Sequence, residues 1–247
     1  LGSFVLAVNI GREAITRMVS FIQVLVPLLL TMMAAVGGFT SAAMLHPYII
    51  ASLGIFSFVI NFVVFPLILL SAALSIVNQL SDRFRVSRLA GLLRQASIWC
   101  LGLVMTLFIG VLSIQGVMGA VADGITLRAA KFATGTFVPI VGGYFAEAID
   151  AAIGYALLLK NSIGILGLLI LFGLCIFPVI KIFAITLAYK IAAVLVQPLG
   201  DENTAEALQS LSSSLGLIMV TVACIGLMFF MTITIILGTS GLTTMLR

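Results

Sequence analysis

Charge is scarce in this sequence. Of its 247 residues, 62% are hydrophobic and 8% are Asp, Glu, Lys or Arg, whereas an ordinary soluble domain carries about 25% charged residues. The four charged types are missing altogether from residues 18–81, 95–122, 161–180 and 207–246. So apolar a composition excludes intrinsic disorder and a solvated coiled coil. Cysteine is nearly as sparse. Cys100, Cys175 and Cys224 each lie inside an apolar run without CxxC spacing, which excludes a disulfide-stapled domain and reads as small packing residues. The lone histidine, His46, has no Cys or carboxylate at ligand spacing, so a metal centre or a His-based nucleophilic mechanism lacks its parts. Neither GxxxxGKS/T nor GxGxxG occurs, which leaves no phosphate cradle for nucleotide hydrolysis. The sequence predicts no enzyme, no catalytic residue and no cofactor.

What it has instead is long apolar runs. A helical crossing of a bilayer takes about 20 apolar residues, so the uncharged blanks hold roughly six or seven crossings. The expected fold is an all-α polytopic integral membrane protein with a single transmembrane domain over residues 1–247. The net charge of +4 comes from 12 Lys/Arg against 8 Asp/Glu. Its basic residues sit between apolar blocks, where the positive-inside rule explains them better than nucleic acid does. The chain begins Leu1-Gly2-Ser3, which reads as a piece whose upstream N-terminal region is absent.

Along the chain, a helix from about Ala14 to Val36 is expected to stop at Gly37-Gly38. A long apolar run from Tyr48 to Leu80 is interrupted at Phe65-Pro66. Proline lacks a backbone donor and clashes one turn back, so this position predicts a kink or a boundary. In residues 81–95, Val86, Leu89 and Leu93 lie to one side and Arg85, Arg88 and Arg94 toward the other. That pattern predicts a short basic amphipathic helix at the membrane interface. Arg83, Arg85, Arg88 and Arg94 form a candidate cytoplasmic interface. Further spans are expected at about 96–117, 162–177, 178–196 and 215–237.

Spacing suggests a duplication. Pro27 and Pro66 are 39 residues apart, as are Pro139 and Pro178, and the two pairs are offset by 112. Residues 101–105 (LGLVM) recur at 215–219 as LGLIM, offset by 114. Repeat 1 would cover about 12–117 and repeat 2 about 124–238. The matching connections differ in charge: residues 82–94 hold four Arg and one Asp, while 201–206 hold three acids and no base. Basic loops stay cytoplasmic, so the contrast favours inverted halves. Inversion in turn requires residues 118–160 to enter and leave on one side, as a re-entrant polar segment sheltered by protein or a water-filled cavity.

That segment holds the candidate path-lining residues. Glu147 and Asp150 are three apart and share a helical face, as do Arg128 and Lys131, with Asp123 just upstream. Ionisable residues at membrane depth pair or face water. Either they line a polar path, or they solvate loops at headgroup level. Gly116 and Ala120, at i and i+4, suit close helix approach and also self-association into a homo-oligomer.

Three stretches carry a resemblance: residues 37–47 (GGFTSAAMLHP), residues 115–132 (QGVMGAVADGITLRAAKF) continuing to Phe137-Val138-Pro139, and Leu158–Asn161 with Gln197–Asp201. Together they closely resemble the stage III sporulation protein AE family of endospore-forming bacteria. The resemblance implies a multi-pass component of the mother-cell membrane around the forespore, acting as a conduit or export-gate-like subunit of a secretion-like channel complex. The implied partners, besides the lipid bilayer, are other stage III A sporulation proteins, including an ATPase and ring-forming proteins, and the forespore-side stage II Q protein. It supplies no residue roles. A secondary transporter of a small metabolite and a non-conducting scaffold of the same complex remain alternatives.

Overall fold

The computed structural model describes the backbone of residues 2–80, 87–137, 142–199 and 202–245, and the side chains of 2–78, 87–114, 151–198 and 202–238. Among these residues there are helices and no strands. Six α-helices follow one another: α1 (Gly2–Ala35), α2 (Phe39–Val59), α3 (Phe65–Leu80), α4 (Ser87–Phe137), α5 (Gly142–Val196) and α6 (Glu202–Met245). A helix satisfies its own backbone hydrogen bonds, which is what a chain this apolar needs where no water can do so.

Among the described residues, five stretches are long and apolar enough to cross a bilayer: Gly2–Ala35, Phe39–Asn78, Ser87–Ile114, Ala151–Val196 and Glu202–Gly238. The sequence predicts six or seven over the whole chain, and within the described residues some of the expected breaks do not occur. Residues 162–177 and 178–196 are one helix, with Pro178 inside α5. A proline costs a helix one hydrogen bond, a loss that apolar membrane helices commonly tolerate. Likewise Pro47 rides within α2, and the polar stretch around exposed His46 is helical from Phe39 onward. The basic segment is continuous with the following span, because α4 contains no proline from Ser87 to Phe137.

Where the sequence does predict an interruption, at Pro66, the chain widens. Residues Ile60–Val64 form a π-helical turn, and the Phe65 N–H donates to the Ile60 carbonyl five residues back. Pro66 has no N–H to continue the ordinary ladder, so the surplus residue is accommodated immediately before it. The end of α1 is sharper. Gly37 adopts φ 98°, while Gly37 N–H donates to Ala34 O at 2.9 Å and Gly38 N–H to Met33 O at 3.0 Å. This paired closure needs a left-handed residue, and glycine adopts it without a Cβ clash.

The helices contribute to two compact units. The first comprises Leu1–Val19, Gly54–Leu107 and Phe172–Leu227; the second comprises Ser20–Leu53, Phe108–Leu171 and Met228–Arg247. In the first unit, α1 and α6 approach at Gly11, where an added Cβ would come within 2.8 Å of Ile218 and 3.5 Å of Val222. Arg12 lies over the Phe65 ring, 5.6 Å from its centroid. Cys175 fills the hollow over Gly226, the packing role expected of it. In the second unit, Gly164 and Gly167 of α5 seat Leu237 of α6 and Leu25 of α1 respectively. Small residues let apolar helices touch closely where lipid supplies no hydrophobic drive.

Candidate functional site

Buried positions on α6 run Leu211, Leu215, Ile218, Val222, Ile225, Phe229, Thr232, Ile236, a spacing that keeps one seam facing its neighbours. Hydroxyls lie on or beside this seam. Ser214, Thr221 and Thr232 each donate to the carbonyl four residues back, while Ser212 reaches Thr186 O on α5 at 3.1 Å. Near its N-terminal end the seam opens into a polar cavity of about 240 Å³. Three helices of the first unit supply its walls: Ser71, Ser75 and Asn78 from α3, Ser87 and Arg94 from α4, and Glu206, Ser210 and Ser214 from α6.

The wall is held by short bonds. Ser71 Oγ donates to Ala90 O at 2.8 Å, tying α3 to α4, and Ser75 Oγ donates to Ser71 O at 2.9 Å. Asn78 Oδ1 accepts from the Ser87 N–H at 3.1 Å, satisfying one of the otherwise orphaned donors at the start of α4. Arg94 and Glu206 carry opposite charge on this cavity and make no ion pair; among the described residues the ion pair is Arg17–Glu13 on α1.

A second polar feature belongs to the other unit. Lys160 is fully buried, and its Nζ donates to Ile236 O at 2.7 Å. It stands on the same buried face of α5 as Gly164, Gly167 and Leu171. An ammonium sheltered between membrane helices is costly unless hydrogen-bonded, and here it binds the backbone of α6.

The sequence-predicted residues fall out as follows. Asp123, Arg128 and Lys131 lie on α4, and Glu147 and Asp150 on α5, by backbone; their side chains lie outside the described residues. Both flanks of the proposed re-entrant segment are helical up to Phe137 and from Gly142. Arg83 and Arg85 also lie outside the described residues. Arg88 is exposed at the start of α4, and Arg94 is half-buried on the polar cavity. Lys160, Glu206 and the serines were not singled out by the sequence reading. Their signals were there: a lone lysine in an apolar run, and Ser71/Ser75 and Ser210/Ser214 each at i and i+4.

The stage III sporulation protein AE family matches residues 1–240 of this chain. The chain belongs to that family. A curated relative, Stage III sporulation protein AE of Bacillus subtilis (strain 168), is 44% identical over 247 residues, which is all of this chain and 62% of the relative. The chain thus spans less than two thirds of the family member it is compared with. No solved structure matches it. Membership agrees with the resemblance carried by residues 37–47 and 115–132, and makes this a sporulation protein built of membrane-type helices.

Proposed function

We propose that this chain is the membrane-embedded conduit or export-gate-like subunit of the channel complex between mother cell and forespore, resident in the mother-cell membrane. Its ATPase, its ring-forming proteins and the forespore-side stage II Q protein would be separate partners, since no nucleotide motif occurs here. The observation that carries the reading is the run of charge on helical backbone beyond the apolar stretches. Past the uncharged run 95–122, α4 continues to Phe137 and bears Asp123, Arg128 and Lys131; α5 bears Glu147 and Asp150 within nine residues of its start at Gly142. Helices satisfy their own backbone, so these charged turns can enter the bilayer if their charged faces meet water. The inverted duplication, with halves at 12–117 and 124–238, belongs to the same proposal and would set the polar segment near the midplane.

Single-cysteine labelling across 118–150, in a background lacking Cys100, Cys175 and Cys224, tests it. Water-accessible positions at membrane depth, at helical spacing around Asp123, Arg128, Lys131, Glu147 and Asp150, are expected. Accessibility confined to interface depth would leave a scaffold. Labelling that changes with added substrate would instead favour a transporter working by alternating access.

A further inference from the structure

Past the polar cavity of the first unit, the next turns of α4 carry an open apolar trough. Arg94 and Gly91 face the cavity. One turn on, Gln95 and Ile98 begin an open trough of about 620 Å³ along α4, its described lining continuing through Trp99, Gly102, Leu103 and Leu107. Gly91 and Gln95, like Arg94 and Ile98, are four apart, so the edge of the chamber and the start of the trough lie on adjacent turns of the helix. The cavity sits where the charged connections 82–94 and 201–206 meet the uncharged runs 18–81, 95–122 and 207–246. Charge beside a long uncharged run is the pattern of headgroup level, and the trough extends along the uncharged run.

The chamber holds both signs. Arg94 offers a guanidinium fork suited to phosphate, and Ser210 adds a hydroxyl. Glu206 offers a carboxylate, and the Ser71, Ser75 and Ser214 hydroxyls, already donating elsewhere, retain lone pairs that accept. At about 240 Å³ it is below the roughly 300–1,000 Å³ of drug-sized sites. It suits a small zwitterion whose anionic and ammonium ends are a few bonds apart.

We propose that this feature binds a phospholipid with a primary-amine zwitterionic headgroup, phosphate on Arg94 and ammonium on Glu206, with an acyl chain in the Trp99–Leu107 groove. A choline headgroup has no N–H to donate, and a glycerol headgroup has no cation, so the Glu206 carboxylate discriminates against both.

The test reconstitutes the protein in bilayers of equal phosphatidylethanolamine, phosphatidylcholine and phosphatidylglycerol, extracts it mildly, and counts retained lipids by mass spectrometry. Charge-assisted hydrogen bonds predict about tenfold or greater enrichment of phosphatidylethanolamine. Glu206→Gln should erase the preference over phosphatidylcholine, and Arg94→Gln should lower retention of all three. Gly102→Leu fills the groove, where a Cβ meets nothing within 4 Å, and should lower retention of all three without disturbing the fold. Equal retention of the three lipids by the unaltered protein, or a preference unchanged in Glu206→Gln, would overturn the assignment. Displacement of the lipid by water-soluble glycerophosphoethanolamine at matched concentration would overturn the lipid source and assign the chamber to a dissolved zwitterion.

Discussion

Helices α5 and α6 are both apolar enough to cross a bilayer, yet 17% of the most apolar window of α5 is buried and 50% of that of α6. Apolarity alone therefore does not tell a lipid-facing helix from a central one. What separates them is where their small polar residues lie. On α6 the hydroxyls of Ser212, Ser214, Thr221 and Thr232 fall on the buried side. On α5 a broad face of Leu158, Leu166, Leu169, Phe172, Phe183 and Ile191 is exposed, and a narrow face of Lys160, Gly164, Gly167 and Leu171 is covered. In a membrane, small and hydroxyl-bearing residues mark the protein side and large aliphatics can face lipid.

Substitutions can break this contrast, in descending order of effect. Lys160→Glu, placing a carboxylate against the Ile236 carbonyl, should cost at least about 3–5 kcal/mol, because an uncompensated buried charge replaces a bonded one. Thermal unfolding of the purified protein in detergent should show it, whereas Lys160→Met should stay within about 1 kcal/mol. On the α6 seam, Ile225→Ala should cost about 2–4 kcal/mol by leaving a cavity; the same assay giving no loss would show that α6 is not central. Gly164→Val should cost about 1–3 kcal/mol by driving a side chain into Leu237. Gly154→Val on the same helix meets open space and should be neutral. Smallest of all, Leu166→Ala on the exposed side of α5 should change stability by less than about 0.5 kcal/mol.

Much of the architecture was legible in the residues. The uncharged blanks predict membrane helices, Gly37-Gly38 predicts the end of α1, and Pro66 predicts a local irregularity. The count of crossings was not, because prolines do not decide helix ends in apolar surroundings: Pro66 adjoins a widened turn, while Pro47 and Pro178 sit in unbroken helix. The amphipathic reading of 81–95 placed Leu89 and Leu93 on one side. In the structure Ala90 and Ser97 are the covered positions, and Leu89 is exposed, since a helix at an interface can turn its large aliphatics outward. The polar cavity was not legible as a unit, because it unites serines more than a hundred residues apart that sequence spacing cannot connect. Lys160 donates to a backbone carbonyl, Ile236 O, which no side-chain motif can announce.

The wide turn at Ile60–Val64 bears on all of this. Each residue advances a regular helix by about 100°, so one surplus residue acts as a rotational offset for everything after it. Buried positions before the turn include Leu45, Ile49 and Leu53; within it they are Ile60 and Val64, and after it Ile68 and Ala72, and it is downstream of this turn that Ser71, Ser75 and Asn78 line the cavity. Removing a single residue from the turn would swing those three hydroxyl and amide groups toward lipid while leaving the composition, length class and hydropathy of the helix unchanged.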